Sequence, residues 1–571
     1  MLQSFFTSSI MSRLSLQTSA HAVDSASLIP RVRQHFHALL ADTGDWNLSV
    51  YDLAWVLCCG FFNDAERDKH LTLLLSQQDA SGAWGDASYM PHSALVDTLA
   101  VAMALLRLER PVPRRDALGA SVEALLARCR EYPHHDTVAF ELLVPKLLKW
   151  LERHQLHLPL SARSREFIEA LDRKGDKKLE LLRRAGRLFD AGCTLSYTAE
   201  LAALIPLAPG EEDALLGMML PNGAIGLSPA ATAAVMLLLT EKKRKVPARL
   251  TQYLRDTFDD YRQAGFPNLH PITTSRRLWN VRPWLLSGNF FEIARDESIR
   301  EVLVRIYQET NIDEEGRVSW DTNNSALPDL DDTAVAFALY SALTQLGVRG
   351  LKPMSTAGLL RFQREDGTFF CYPHELHPSP SALLHSLLAL ELAKEAFGVR
   401  FTQDPATQTL SRRLLEQLRP EGQDFEQLHH DKWHATWTYG VQKWLSLEAV
   451  RATYPAKVRE ILTECLARER GGGWGQQAPT LEESAYVASG LVRLLKQGSE
   501  FLTLSEQASL RNALGRARDF LCTGLGQPDV HLPALWISKN VYTPRFQSLS
   551  AVLDALFGLV SLAVRSTTRG Q

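Results

Sequence analysis

Apolar positions recur at helical spacing along nearly the whole chain. Residues 94–108 (Ala-Leu-Val-Asp-Thr-Leu-Ala-Val-Ala-Met-Ala-Leu-Leu-Arg-Leu) are apolar almost all round, which places such a helix inside a packed array. No alternating series of strand length interrupts the pattern. The periodicity predicts an all-α chain.

A recurring turn punctuates the helices. Glycine-containing stretches at residues 77–85, 220–226, 315–320, 363–369 and 470–475, four of them with an aromatic, each run into a helix start rich in small residues. The glycines permit a tight turn, the aromatic fills the gap between neighbouring helices, and Ser, Thr or Asp is expected to cap the next helix. Repeated around a ring, such units build a double-layered α/α barrel. They speak for fold and carry almost no chemistry.

Length and charge narrow the function. A chain of 571 residues exceeds one ordinary core, so two domains are expected and a large apolar pocket is easily built. The formal net charge is -3, from 62 basic and 65 acidic residues, without a basic run that could follow a phosphate backbone. Nucleic acid is therefore excluded as an expected partner. Seven cysteines without a C-x-x-C pair suit a reducing compartment, and the protein is expected to be cytoplasmic. Residues 1–22 are Ser-rich with one Arg and read as a disordered tail. No uninterrupted apolar run reaches membrane-spanning length, so no transmembrane span is expected.

Chemistry concentrates in Asp329-Leu330-Asp331-Asp332-Thr333-Ala334, just before an apolar helix. As N-terminal helix residues these acids would serve as cap and dipole partners. As residues facing a dry cavity they would do more, because three carboxylates within four positions cannot all ionise cheaply. One would keep its proton. A carbon–carbon double bond is a very weak base, and protonating it takes an uncharged acid with a stabilised conjugate base in a cavity emptied of water.

The motif, set within glycine-aromatic helix repeats, resembles the class II diterpene cyclases of copalyl diphosphate synthase type and, more distantly, the squalene-hopene cyclases. Ser49-Val-Tyr-Asp-Leu-Ala-Trp55 is similar to an early signature of that family, and Phe266-Pro-Asn-Leu-His-Pro271 with Arg277-Leu-Trp279 to a later one. Asp431-Lys-Trp-His434 and Leu535-Trp-Ile-Ser-Lys-Asn-Val-Tyr-Thr-Pro544 resemble stretches of bacterial members, so the likeness spans almost the whole chain.

The resemblance implies two α/α barrels in the family's βγ arrangement. Residues 23–44 with 263–571 would form the barrel carrying the acid, and residues 45–262 the inserted one. It implies Asp331 as proton donor, Asp329 and Asp332 as its tuning partners, and His385 as the polar residue that bonds it. Asn268 would belong to the group that removes the final proton, while Phe189 stands where its histidine partner is expected. An aromatic face there stabilises a cation but takes no proton, which points to a rearranged kolavenyl (clerodane) product ahead of copalyl or halimadienyl diphosphate.

Lys432 and Lys539 are the candidates for holding the substrate diphosphate, and Trp279, Trp320, Trp433 and Tyr340 for lining the cavity. Of the family's acidic magnesium segment only Glu131 remains. The expected substrate is geranylgeranyl diphosphate, with Mg2+ accompanying its diphosphate, and farnesyl diphosphate cyclised to a drimenyl skeleton is an alternative. No class I Asp-Asp-x-x-Asp metal motif is evident, so the diphosphate should stay on the product and a class I terpene synthase would act next. Competing readings are a protein prenyltransferase β subunit, for which no Asp/Cys/His zinc trio is seen, and a helical-repeat binding scaffold.

Overall fold

The computed structural model describes residues 25–40, 46–132, 136–189, 197–321, 327–372, 375, 378–527 and 530–568. The tail expected at residues 1–22 lies outside them.

Helices that are apolar on every face must be surrounded, and here they close into rings. Thr273–Ser287, Leu330–Gln345, Pro380–Phe397, Thr438–Ser446, Leu481–Gln497 and Arg545–Thr568 each touch the next, and the last returns to the first. Outside this ring stand helices that bury a single stripe. Glu297–Gln308 buries Ile299, Val302, Leu303 and Ile306, and Pro405–Leu418 buries Leu410, Leu414 and Leu418. Ser25–Leu40 packs against both Glu297–Gln308 and Arg545–Thr568.

A second ring forms from Val50–Cys58, Pro91–Arg107, Phe140–Arg153, Tyr197–Ala202 and Pro229–Glu241, again closing on its first member. Asp64–Ser76, Arg115–Glu131, Ala162–Arg184 and Ala248–Asp260 back it. The apolar cores follow the same division. One gathers residues from Leu28 to Leu39 and from Leu278 to Val560, the other residues from Tyr51 to Phe266. The chain is thus an all-α pair of α/α barrels.

The glycine turns act as read, with two corrections. Gly82 sits at φ +93° with its hydrogen facing the Leu118 backbone, where a Cβ would lie 2.8 Å from the nitrogen. Ser228, Asp329, Ser379 and Thr480 cap the helices that follow. The first copy, however, has no side-chain cap, because Met90 with no side-chain oxygen stands at the cap position; a following proline is no bar, as the Ser228–Pro229 and Ser379–Pro380 starts are capped. The second correction concerns hydroxyls inside the helices. Thr98, Thr232, Thr333 and Ser484 accept from the backbone N–H of Trp84, Ile225, Val318 and Trp474 at 2.8–3.0 Å, tying each turn to its own helix.

Among the described residues the strands are two short antiparallel pairs. Val318–Ser319 pairs with Pro328–Asp329 and delivers the chain to the Asp329 motif. Trp536–Ile537 pairs with Val541–Tyr542, and the tip of this hairpin enters the second ring. There Val138 N–H donates to Ser538 O at 2.9 Å, Asn540 Nδ2 to Asp97 Oδ1 at 2.8 Å, and Val541 N–H to Ser93 Oγ at 2.9 Å.

One helix segment, Arg545–Ala563, is long and on average apolar enough to cross a membrane, although Arg545, Gln547 and Asp554 interrupt its apolar run. Its window is 83% buried inside the protein, where it completes the first ring. The six described cysteines are all free thiols.

Candidate active site

Asp329 ends a strand in extended geometry (φ -132°, ψ 159°), and its Oδ1 caps the following helix by accepting from Asp332 N–H at 2.7 Å. The motif is fastened from both sides. Thr333 Oγ1 donates to Asp329 O at 2.6 Å, and Leu330 N–H donates to Cys371 O at 3.0 Å. The cap reading is therefore true of Asp329 and leaves Asp331 and Asp332 free for other work in the first turn.

Those two acids differ in their partners. Asp332 accepts from Ser275 Oγ at 2.5 Å and from Trp279 Nε1 at 2.6 Å, so both of its oxygens are occupied. Asp331 Oδ1 is bonded to His385 Nδ1, while its Oδ2 is buried with no partner. Asp331 is 3% exposed and His385 0%. The imidazole projects from Pro380–Phe397, the helix that packs against Leu330–Gln345, which explains how 54 residues of separation close into one contact.

Burial dominates the acidity of all three. It raises Asp331 to about 7, with the nearby Asp431 carboxylate adding to the shift and Lys443, Arg282 and Lys432 opposing it. Asp332 is raised by burial to about 6, held back by the Ser275 and Trp279 donors. Asp329 is pushed well above the usual carboxylate range by burial and by Asp332. Burial, with Lys443 and Arg282 close by, holds the His385 imidazole well below its usual value. A neutral imidazole thus faces a carboxyl that still carries its proton near neutral pH.

The motif opens on a cavity of ≈ 1020 Å³, mouth included. Asp329, Asp331 and Asp332 line it together with seven aromatic side chains: Trp46, Trp279, Trp320, Tyr372, Trp433, Trp536 and Tyr542. Trp279 and Trp536 meet edge to face at 5.5 Å, and Trp46 stacks on Tyr542 at 4.0 Å. Indole N–H groups are tied to buried carboxylates, Trp279 to Asp332 and Trp536 to Glu482 (2.8 Å), which fixes the ring faces presented to the cavity.

Other sequence candidates land elsewhere. Trp279, Trp320 and Trp433 line the cavity, but Tyr340 stacks on Tyr307 at 5.6 Å in the first core. Phe189 is buried in the core of the second ring and is not among the cavity-lining residues, so its face meets neighbouring apolar side chains there. Asn268 is buried too, and its amide donates to Asn540 Oδ1. Lys539 reaches the cavity wall, yet its ammonium donates to Glu200 and, at 3.0 Å, to Ser228 Oγ. Lys432 pairs with Glu375 and covers Trp433 at 4.7 Å, outside the cavity lining. Glu131 is exposed in the last turn of Arg115–Glu131, beside Arg128 and Arg130, and no three metal-ligating side chains gather among the described residues. These residues do not fit a magnesium site built around Glu131, and no catalytic step is assigned to a metal.

Sequence reasoning missed Ser275 and Arg282 behind the acid, and read Trp279 as a cavity wall without its bond to Asp332. Ser275, Trp279 and Arg282 lie at i, i+4 and i+7 on one helix, the spacing of a single face, and that spacing was the available signal. Asp431 and Lys443 offered less, since a charge in a loop or inside a short helix reads as a surface residue until the ring is closed.

Fold and site together define a cyclase that starts its reaction with a proton. No family model matches the chain. It is 30% identical over 523 residues, 86% of its length and 85% of the relative's, to labda-7,13-dienyl diphosphate synthase of Streptomyces clavuligerus. It is 27% identical over 520 residues, covering 86% and 90%, to (+)-kolavenyl diphosphate synthase of Herpetosiphon aurantiacus. The fold superposes on ent-copalyl diphosphate synthase of Streptomyces platensis with a TM-score of 0.66 at 23% identity, covering 94% of this chain and 99% of that one. The chain belongs to the class II diterpene cyclases, enzymes of the isomerase type.

Proposed function

We propose that the chain cyclises geranylgeranyl diphosphate to a bicyclic diterpenyl diphosphate, with Asp331 as the acid. The observation that carries this is the unpartnered Oδ2 of Asp331 on an aromatic-lined cavity, while Oδ1 is held by His385. With Nδ1–H donating to Oδ1, the acidic proton sits on Oδ2 and points at the cavity. Protonation of the terminal alkene places positive charge on carbon, where tryptophan and tyrosine faces stabilise it without capturing it. Ring closure to a decalin cation follows, and loss of a proton ends the reaction with the diphosphate ester intact. The relatives it resembles are named as diterpenyl diphosphate synthases, which supports the C20 substrate over farnesyl diphosphate.

Among possible skeletons we favour the rearranged kolavenyl type. The support is Asn268, whose amide is held by Asn540 rather than by an imidazole. Without a strong base beside the first decalin cation, hydride and methyl shifts precede proton loss. Phe189, packed in the second core, does not contribute to this reading. Because the diphosphate is retained, the product suits an ionisation-initiated class I synthase.

Side-by-side incubation with geranylgeranyl and farnesyl diphosphates, then dephosphorylation and product identification, tests the reading. A bicyclic C20 alcohol with a clerodane skeleton is expected. A labdane as sole product removes the rearrangement, and turnover of farnesyl diphosphate alone removes the substrate.

A further inference from the structure

Arg282 is 0% exposed and projects from the middle of Thr273–Ser287 into the interior of the first ring. Burying a guanidinium is costly unless its charge and its donors are matched. One NH group donates to Tyr439 Oη and the Tyr486 hydroxyl is also in reach, but both are neutral partners, Nε is buried without one, and no carboxylate forms a salt bridge with the guanidinium among the described residues. What surrounds it is aromatic. The guanidinium carbon lies 4.9 Å from the centre of Trp279, 4.7 Å from Tyr439, 5.8 Å from Trp536 and 5.9 Å from Tyr486. Ring faces attract a cation but do not neutralise it. Lys443 lies over the same Tyr439 ring at 3.0 Å and supplies no negative charge.

We infer that Arg282 is the counter-charge for the conjugate base of Asp331, an acid-tuning residue that acts on the catalytic carboxyl from behind and does not touch substrate. This rests on Asp331 being the proton donor. Before the reaction the site holds an uncompensated cation beside a neutral acid. Transfer of the Asp331 Oδ2 proton to the alkene carbon leaves a carboxylate, and the buried guanidinium then gains the partner it lacked. The carbon takes the positive charge, the carboxyl the negative one, and the number of protons is conserved. The arrangement therefore favours the charge-separated state over the resting one, which is what strengthens an acid.

The other charges around the acid do not supply this. Asp329 and Asp332 on its own helix, and Asp431 from the loop before Thr438–Ser446, are acidic and oppose ionisation. His385 from Pro380–Phe397 is held neutral, and Lys432 is paired with Glu375. Burial and the adjacent guanidinium lower Lys443 well below the lysine range, and its Nζ donates to Tyr439 O at 2.7 Å. Cys371 and Tyr372 are pushed up by burial and stay neutral. Only a guanidinium keeps its charge under such conditions.

The test is the pH dependence of kcat and kcat/KM with geranylgeranyl diphosphate for the wild type, Arg282→Gln and Arg282→Lys, with thermal melting as a check on folding. Losing the charge raises the Asp331 pKa, so Arg282→Gln should move the alkaline limb upward by about one unit and lower the plateau kcat about tenfold. Arg282→Lys, whose ammonium would lose its charge in this interior as that of Lys443 does, should move the limb in the same direction as Arg282→Gln. A fall in rate with an unmoved limb in Arg282→Gln overturns the inference. If Arg282→Gln does not fold, Arg282→Lys decides, and a folded Lys variant that loses rate with an unmoved limb overturns it. Asp331→Asn separates the two levels, since turnover by that variant refutes the acid itself, whatever Arg282 does.

Discussion

The molecule buries two trios of carboxylates, and only one of them is built to react. Asp329, Asp331 and Asp332 start a helix of the first ring, while Asp52, Asp97 and Glu200 lie where the Trp536–Tyr542 hairpin enters the second. Burial raises members of both, Asp331 to about 7 and Asp332 to about 6, Asp52 to about 7 and Asp97 to about 8. The junction trio is cross-linked. Asp52 accepts from Ser49 Oγ at 2.7 Å and from Ala230 N–H at 2.9 Å, Asp97 accepts from Asn540, and Glu200 holds Lys539. Asp331 instead keeps one oxygen free toward a cavity. A perturbed acidity thus records burial, and an unpartnered oxygen occurs in both trios, on Asp329, Asp331 and Glu200; Asp331 is set apart by lining the cavity with its other oxygen held by His385.

Substitution should separate the trios most sharply at Asp331. Asp331→Asn is expected to lower turnover by about 10³-fold or more with an unchanged melting temperature, whereas Asp97→Asn should stay within a few-fold. Equal losses, measured as cyclised product per enzyme, would erase the distinction.

The next largest effect is on stability. Lys539→Met strands the buried Glu200 charge and should cost about 3–5 kcal/mol in urea unfolding. Lys432→Met, which breaks a partly exposed pair with Glu375, should cost about 1 kcal/mol or less. A mild Lys539 variant would mean that the junction is wetter than its burial indicates.

Trp279→Phe removes the N–H donor on Asp332 while keeping an aromatic face, and a loss of about 1.5 kcal/mol, roughly tenfold in kcat, is expected. Trp433→Phe, whose ring carries no such bond to the motif, should change kcat less. The reverse order would show that the indole faces, and not the hydrogen bond, govern the rate.

The probe that leaves every residue in place is pH. A carboxyl whose pKa is raised by folding contributes stability that is complete below its unfolded value and is lost as pH rises through its folded one. Asp331, Asp52 and Asp97 should therefore make the protein progressively less stable between about pH 4 and about 8, by up to about 1.4 kcal/mol per unit for each group. Asp97→Asn should flatten the upper part of that slope without moving the alkaline limb of activity, which belongs to Asp331 near pH 7.

How much of this could be read beforehand depended on distance along the chain. Helix 330–345 was legible because its apolar run and its cap are local features. His385 was legible through a repeat turn followed by an apolar helix. Arg282 was not, since Arg276-Arg277 and Arg282 look alike in sequence and only ring closure shows that Arg282 is wholly interior. Lys539 was assigned to the substrate, yet Glu200, brought close by the hairpin, occupies its ammonium. Phe189 failed for a related reason. Matching a family position along the chain does not say whether the side chain turns toward the cavity or into its own core.

The hairpin tip also sets an order on assembly. Ribosomal synthesis runs at roughly 5–20 residues per second, and domains generally fold as they emerge. The second ring, complete at Asp260, must therefore wait tens of seconds for Lys539 and Asn540. Until then Asp97 lacks Asn540 and Glu200 lacks Lys539, while Asp52 already has Ser49 and Ala230. The wall carrying Trp536 and Tyr542 arrives with the same segment. A nascent chain accordingly keeps Asp331 open on that side until the hairpin has emerged, and cyclisation waits for it.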